Sequence, residues 1–186
     1  MTPPEPFAIR ATEDSDATGI IAVYDACWGE YADMVLDTDD EMVHLNHAAS
    51  HYRDLGGSAW VAEAPAEAGS EGSAATTVIA GTVAWRPLPD SDIGSETGTG
   101  HNRRAELQML YVLPKARRRG LASYLVGMVE RHVAEQGYDI FELWSDTRFT
   151  DAHRLYRSMG WEQLDESRVV DDLSHSIEFH FEKPLR

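Results

Sequence analysis

The sequence is poor in cysteine and in long hydrophobic runs. Cys27 is the only cysteine, which excludes an internal disulfide and a metal site built from several cysteines. No apolar run approaches the roughly 20 residues that span a bilayer. Residues 1–6 lack the basic and apolar regions of a secretory signal. We therefore expect a cytoplasmic protein that has no membrane partner.

Positive charge is scarce as well. The chain carries 16 lysine and arginine residues against 32 aspartate and glutamate residues, for a formal net charge of -16. Such a surface repels nucleic acid, so we expect no nucleic-acid partner. Only Lys115 and Lys183 are lysines. Two explanations of the acidic, lysine-poor composition stay open, namely adaptation to high salt and a GC-rich genome.

The hydrophobic pattern alternates between strand and helix spacing along the chain, which is long enough to bury one core. Ile20, Val23 and Tyr24 have helical spacing, and they predict a first helix that Asp14 or Ser15 caps. The predicted order of elements is βααβββαβαββ. This order indicates a single-domain α/β protein with a mixed central β-sheet.

The remaining boundaries follow from Gly, Pro and capping residues. Strands are predicted at Phe7–Arg10, Ser58–Glu63, Val78–Arg86, Glu106–Val112, Asp139–Ser145, Trp161–Leu164 and Ser176–Glu182. Further helices are predicted over Asp39–Leu55, from Gly120 to Gly137, and from Thr150 or Asp151 to Gly160. The polar, Gly/Ser-rich stretches 64–76 and 87–102 predict mobile loops within hairpins, and we expect residues 1–6 to be a disordered tail.

The loop Arg117–Ala122, before the third predicted helix, combines three arginines with a glycine. A helix N-terminus presents unpaired N–H groups and a partial positive charge. Gly120 removes a side chain that would obstruct a phosphate. Because cations at a helix N-terminus oppose the helix dipole, we expect an anion to offset them. The loop therefore predicts a site for a diphosphate.

The residues Arg117-Arg118-Arg119-Gly120-Leu121-Ala122 resemble the (Q/R)-x-x-G-x-(G/A) signature of the GNAT superfamily of N-acetyltransferases. A strand that ends in Leu-Tyr-Val-x-Pro precedes this loop, as it does in that family. About forty residues later, Ala152–Trp161 is similar to the family element A-x-x-x-Y-x-x-x-G-(F/W/Y). The resemblance is sharp over Glu106–Leu164 and topological before it. It implies a GNAT-type mixed sheet flanked by about four α-helices.

The resemblance implies a role for each matching residue, with acetyl-CoA as co-substrate and no metal. Backbone groups of Leu110, Tyr111 and Val112 would pair with the pantetheine arm. The pyrophosphate would lie on Arg117, Arg118, Arg119, Gly120, Leu121 and Ala122, and Ala152 would line the coenzyme near the thioester. Tyr156 would be the general acid that protonates the leaving thiolate, which suits a phenol on an inward helix face.

The general base has several candidates. Glu106 lies six residues before Val112 and is similar to the catalytic glutamate of the histone acetyltransferase branch. A structural role for Glu106 is the alternative, and Asp146 and Glu142 are further candidates for the base.

One position departs from the family pattern. Many relatives carry Asn seven residues before the tyrosine, where it contacts the coenzyme, and here that residue is Phe149. The contact is therefore absent or is replaced by Thr150 or Ser145.

Residues before the signature have alternative interpretations. His44, His47 and His51 fall on one face of the second predicted helix, where they could bind a transition metal, face solvent or contact the acceptor, because relatives use this helix to wall the acceptor site. Metal binding is the weakest of these, and we predict no metal. The segment Trp28–Asp40 is either an acidic surface loop or a wall suited to a cationic amine.

The sequence predicts an N-acetyltransferase that acts on a small-molecule or peptide amine. The alternative is a non-catalytic coenzyme A-binding or sensor module of the same fold. Dimers are common in the family, so a homodimer is a further expectation.

Overall fold

A mixed β-sheet organises the protein, and the computed structural model describes residues 2–66, 77–89 and 103–185. Its strands are β1 (Ala8–Ala11), β2 (Ser58–Pro65), β3 (Thr77–Pro87), β4 (Arg104–Val112), β5 (Ile140–Asp146), β6 (Glu162–Val169) and β7 (Ile177–Pro184). They lie in the order β1-β2-β3-β4-β5-β7-β6. Neighbouring strands are antiparallel except β4 and β5, which run parallel.

Four α-helices flank the sheet within the described residues, and they confirm the predicted α/β class and element order. They are α1 (Ala17–Trp28), α2 (Ala48–Asp54), α3 (Leu121–Glu135) and α4 (Thr150–Ser158). One face carries α1 and α2, where Tyr24 and Tyr52 belong to one buried cluster. The opposite face carries α3 and α4, where Leu125 and Tyr156 belong to a second cluster. We call these the α1–α2 face and the α3–α4 face.

The two parallel strands separate soon after they meet. Ladder pairing joins Arg104–Glu106 of β4 to Ile140–Glu142 of β5. Further along β4, Met109 has a φ of 56°, and the register with β3 shifts beside it. The Thr82 hydroxyl donates to the Met109 carbonyl at 2.6 Å, which fixes this bulge. The diverging strands leave an opening in the sheet, and this opening positions the candidate site.

The second predicted helix is too long. Over Asp39–Leu55 the structure has a 3-10 turn at Val43–His47 and then α2 at Ala48–Asp54. The Asp37 carboxylate accepts hydrogen bonds from the N–H groups of Asp39 and Asp40 at 2.9 and 3.0 Å. These bonds satisfy N–H groups in a turn, so the acidic segment does not become helical.

The predicted cap of the first helix is also wrong. Asp14 and Ser15 lie in a 3-10 turn, and α1 begins at Ala17. The Asp14 carboxylate instead accepts a hydrogen bond at 2.9 Å from the N–H of Ser50, in the first turn of α2. It therefore satisfies an otherwise unpaired group of a helix that is distant in sequence.

Strand ends extend beyond several predictions. Residues 64 and 65 belong to β2 and residue 87 to β3, while β6 continues to Val169. Residues 67–76 and 90–102 of the two predicted loops lie outside the described residues, so their mobility stays a prediction. At the start of the chain, the Phe7 N–H donates to the Pro4 carbonyl at 3.0 Å. None of the described helices has the length and hydrophobicity that a membrane crossing requires.

Candidate active site

The opening between β4 and β5 forms a cavity of about 510 Å³ that reaches both faces of the sheet. Leu107 and Leu143 line it and belong to the core of the α3–α4 face. Gln108 and Trp144 are their strand neighbours and also line the cavity. Since successive strand residues point to opposite faces, the cavity passes between the strands.

Most residues that the sequence predicted for coenzyme binding line this cavity. They are Leu110, Tyr111, Val112, Arg117, Arg118, Gly120, Leu121, Ala122 and Ala152, together with the predicted acid Tyr156. Arg119 and Glu106 do not belong to the lining. The structure thus brings together residues from β4, α3 and α4, and it leaves two predicted residues outside.

The basic loop ends at Gly120, which begins α3 in a left-handed conformation with a φ of 80°. No side chain of the described residues caps this helix, so the first N–H groups of α3 point toward the loop without an intrahelical partner. Arg118 also has a positive φ, of 64°. Arg118 and Arg119 are exposed. The arrangement offers N–H groups and positive charge to an anion at the mouth of the cavity.

Arg117 is tied to the rest of the protein by its own contacts, although its side chain is 39% exposed. Its Nε donates to the Val112 carbonyl at 3.0 Å, and its Nη2 lies 2.6 Å from the Glu30 carboxylate. The Cys27 thiol donates to the same Val112 carbonyl at 3.4 Å. Burial raises the pKa of this thiol despite the neighbouring Arg117, so it remains protonated. The end of α1 is therefore tied to the end of β4.

Tyr156 lies on α4, on the α3–α4 side of the cavity. Its ring packs against Trp161 and Phe181, with centroid distances of 5.9 and 5.5 Å. Burial raises the pKa of the phenol well above its usual range, so the phenol is neutral at physiological pH. Ala152 lies one helical turn earlier and also lines the cavity. A protonated donor therefore stands beside a space that a small side chain keeps open.

Glu106 is held in a buried network away from the cavity. Its carboxylate lies 2.6 Å from Arg86 and accepts a hydrogen bond from the Gln108 amide at 3.0 Å. The Gln108 amide oxygen accepts in turn from the Tyr52 hydroxyl at 3.0 Å. The side chain of Glu106 is only 5% exposed. Its carboxylate thus links β3, β4 and α2 beneath Gln108, which itself reaches the cavity.

The two other candidate bases are paired with arginines. Glu142 accepts from Arg104 Nε at 2.6 Å and does not line the cavity. Asp146 does line it. Burial opposes the ionisation of Asp146, but hydrogen bonds from the side chain and backbone of Arg148 outweigh this effect and lower its pKa. A carboxylate whose pKa is lowered is a weak base.

Glu178 on β7 is an ionisable cavity residue that the sequence analysis did not identify. It lines the cavity, and burial raises the pKa of its carboxyl group. Phe179 and Phe181 contact His153 and Tyr156 of α4, so the alternation of the strand places Glu178 on the opposite face. The alternation is visible in the sequence, but the register that sets Glu178 opposite Asp146 is not.

Phe149 fills the position at which many relatives carry Asn. Its ring lies 5.2 Å from that of Tyr31 and 6.0 Å from that of Tyr111, and all three side chains line the cavity. Of the two suggested replacements, Ser145 lines the cavity and Thr150 does not. The Ser145 hydroxyl lies 3.2 Å from His153 Nε2.

The three histidines near α2 come together outside the cavity. The ring centroids of His44 and His47 lie 5.0 and 6.1 Å from that of His51. Burial, with the neighbouring histidines, lowers the pKa of His44 to about 4. Among the residues that the structure describes, no group of three or more His, Cys, Asp or Glu side chains could hold a metal ion.

In the part of the chain that the structure describes, the sheet has seven strands and opens between its parallel strands beside a helix that begins at a glycine. This architecture is the α/β GNAT fold. Residues 20–161 match the Acetyltransferase (GNAT) family. The chain belongs to this family.

Two curated relatives resemble the chain in sequence. N-acetyltransferase 8 of Homo sapiens is 29% identical over 163 residues, which cover 84% of this chain. N-acetyltransferase 8 of Mus musculus is 29% identical over 162 residues, which cover 85% of this chain. The chain spans 61% of the length of each of these relatives.

Solved structures resemble the chain in fold at low sequence identity. A GNAT-family acetyltransferase from Staphylococcus aureus has a TM-score of 0.71 at 18% identity, covering 97% of this chain and 99% of that one. The yncA protein of Salmonella typhimurium, solved with acetyl-CoA, has a TM-score of 0.64 at 17% identity, covering 97% and 94%. An Arabidopsis thaliana protein in complex with acetyl-CoA has a TM-score of 0.66 at 14% identity, covering 96% and 98%.

Proposed function

We propose that the protein is an acetyl-CoA-dependent N-acetyltransferase that transfers the acetyl group to a primary amine by direct attack. The observation that carries the proposal is the opening between β4 and β5, which joins the loop at Gly120 to the Tyr156 phenol in one cavity. Acetyl-CoA carries a thioester at one end and a diphosphate toward the other. The cavity offers the Tyr156 phenol to the thioester and the loop at Gly120 to the diphosphate. Family membership and the acetyl-CoA bound to two solved neighbours support the same donor.

The donor would be held largely by main-chain groups. Within the described residues, no ladder pairing joins Gln108–Val112 to β5, so the edge of β4 that faces the opening near Leu110–Val112 can accept the amides of a pantetheine arm. The first N–H groups of α3 would hold the diphosphate, with added charge from Arg118 and Arg119. The small side chain of Ala152 leaves room for the thioester end.

The chemistry needs a proton donor on the leaving-group side. The amine nitrogen forms a bond to the thioester carbonyl carbon, and the C–S bond then breaks with its electron pair on sulfur. Tyr156 would give its phenolic proton to that thiolate and regain a proton from solvent. A backbone N–H of β4 near Val112 would stabilise the oxyanion of the tetrahedral intermediate. The acceptor would be a small molecule or a peptide that carries a primary amine.

The test is a thiol-release screen with acetyl-CoA against alkyl monoamines, diamines, amino-acid amides and short peptides. We expect turnover with at least one class, and we expect coenzyme A to raise the melting temperature because it binds only the folded state. Coenzyme A binding without turnover on any amine would instead favour the non-catalytic module. A melting temperature that does not respond to coenzyme A would overturn the assignment of the donor.

The role of Tyr156 is tested by Tyr156→Phe. We expect kcat to fall about a hundredfold, as for the loss of a general acid, while the Kd for coenzyme A stays within about twofold. Tyr24→Phe is the matched control, because Tyr24 is also a buried tyrosine and does not line the cavity. An equal loss in both variants would point to a general effect of losing a buried hydroxyl.

A further inference from the structure

Two carboxylates reach the cavity from the sheet strands within the described residues, and they occupy neighbouring positions. Asp146 ends β5, and Glu178 lies directly opposite it on β7. Asp146 is engaged with Arg148, whose Nη2 lies 2.6 Å away. Glu178 is paired on its other side with Arg168 of β6, at 2.7 Å. The cavity therefore holds two adjacent carboxylates with different partners, because Asp146 pairs with Arg148 and Glu178 pairs with Arg168.

The position of Glu178 relative to Tyr156 is set by the pleat of the sheet. Tyr156 contacts Phe181 and belongs to the α3–α4 face. Glu178 is three residues from Phe181 along β7 and so points to the α1–α2 face. Both side chains nevertheless line the one cavity. A thioester in the opening between β4 and β5 would thus have the phenol on one side of the sheet and the carboxylate on the other.

An acyl transfer by direct attack needs a proton donor and a proton acceptor on different sides of the thioester. The leaving sulfur must receive a proton, and the attacking nitrogen must lose one, on different sides of the carbonyl carbon. Glu106 and Glu142 also belong to the α1–α2 face, but neither lines the cavity. Among the described carboxylates of the sheet, Asp146 and Glu178 therefore combine access to the cavity with the side from which an amine would arrive. Asp146 is held by Arg148 at 2.6 Å, which leaves Glu178 as the better candidate for the base.

We propose that Glu178 is the catalytic residue that takes the proton from the acceptor amine. The inference rests on the proposed function. The Glu178 carboxylate removes one proton from the ammonium group, and the neutral amine attacks the carbonyl carbon. When the tetrahedral intermediate collapses, the nitrogen loses its second proton to solvent, and the sulfur gains one from Tyr156. One acetyl group moves from sulfur to nitrogen, and one proton is released in total.

The charges around Glu178 suit a base. Burial raises the pKa of its carboxyl group, and the pairing with Arg168 of β6 opposes this effect. The negative charges of Asp146 on β5 and Glu106 on β4 act in the same direction as burial. A carboxylate whose pKa is raised accepts a proton more readily than one whose pKa is lowered, as in Asp146.

The test compares pH–rate profiles of kcat/KM for the full chain with acetyl-CoA and the primary amine that gives the highest turnover in the screen above. In the wild type we expect a rise with pH as Glu178 ionises. In Glu178→Gln we expect kcat/KM near pH 7 to fall about a hundredfold. The remaining rate should then follow only the ionisation of the amine itself, while the Kd for acetyl-CoA stays unchanged.

Two further variants separate a base from a structural residue. Arg168→Gln removes the cation that stabilises the Glu178 carboxylate, so the rise of the profile should move to higher pH while the maximum rate is kept. Glu166→Gln is the control, because Glu166 lies on β6 with its side chain 69% exposed, and its profile should match the wild type. If Glu178 had only a structural role, Glu178→Gln would lower kcat/KM at every pH and would leave the pH at which the profile rises unchanged.

The outcomes distinguish this role from the proposed function. Wild-type turnover together with an unchanged profile in Glu178→Gln would overturn the role of Glu178 alone. If the pH–rate profile is unchanged in Glu178→Gln but loses its rise with pH in Glu106→Gln, the base is Glu106. Absence of wild-type turnover on any amine would overturn both the proposed function and the role that rests on it.

Discussion

The guanidinium of Arg117 lies 2.6 Å from the carboxylate of Glu30, so an arginine of the phosphate-loop signature is paired with an acidic residue two positions after the end of α1. The same side chain donates to the Val112 carbonyl. The first residue of the signature thus contributes a link between α1 and β4 within the protein. Its charge is shared between Glu30 and any anion that binds at the loop.

We expect Glu30→Gln to tighten coenzyme A binding severalfold, because it removes a negative charge that competes for Arg117. Stability should change by at most about 1 kcal/mol, since both side chains are more than a third exposed. Calorimetric titration at low and high salt measures the effect, which salt should weaken. Glu135→Gln, at the exposed end of α3, makes the same change in net charge. Equal gains in coenzyme A affinity in both variants would show an effect of net charge and would contradict a competition of Glu30 with the coenzyme for Arg117.

We expect Gly120→Ala to destabilise the fold by about 1 kcal/mol. A Cβ at this position would meet no atom of the described residues within 4 Å, so the cost arises from the φ of 80° and not from a clash. Gly127→Ala is the counterpart inside α3, where a Cβ would make ordinary contacts at 3.7 and 3.9 Å. That variant should stabilise the helix by about 1 kcal/mol. Urea unfolding measures both, and a change of the same sign in the two variants would contradict the assignment to backbone strain.

We expect His44 to make the fold sensitive to acid. Burial, with the charges of His51 and His47, lowers its pKa from 6.5 to about 4. As pH falls through this interval, the unfolded chain takes up a proton before the folded chain does. Stability from this residue is therefore full above pH 6.5 and is lost toward pH 4. For a partly exposed ring, the loss should be about 1–2 kcal/mol.

The variant that checks this expectation is His44→Gln, which cannot gain a proton. Free energies of unfolding at pH 6.5 and pH 4 should differ less in this variant than in the wild type. His175→Asn, at an exposed turn residue, should keep the wild-type difference. If His44→Gln keeps it too, another group is responsible for the sensitivity to acid.

Local signals in the sequence predicted the order of elements and most of the cavity lining. The helical spacing of Ile20, Val23 and Tyr24 corresponds to the buried side of α1. The loop to Ala122 and the element beginning at Ala152 were found from short-range patterns, and the structure places both at one cavity. Helical spacing and short motifs each involve only a few neighbouring residues, so the sequence alone reveals them.

The arrangement of carboxylates could not be predicted in the same way. Whether Glu106, Asp146 or Glu178 reaches the cavity depends on the register of the strands. The arginine that pairs with each carboxylate lies on another strand or in a following loop. The pairing of Glu106 with Arg86 spans 20 residues. The second helix was overextended for a related reason, because the Asp37 carboxylate bonds to local N–H groups in place of a helical turn.

The pleat of β5 and β7 has a consequence for how the protein can diversify. Residues with odd numbers, such as Leu143 and Phe181, pack in the core under α3 and α4. Residues with even numbers point away from that core, and Trp144, Asp146 and Glu178 among them line the opening. In the proposed function, a substitution at an even position can therefore alter the side from which the acceptor would arrive while the core under α3 and α4 keeps its packing. One strand thus carries two interleaved sets of residues, and selection on the acceptor can act on one set without disturbing the other.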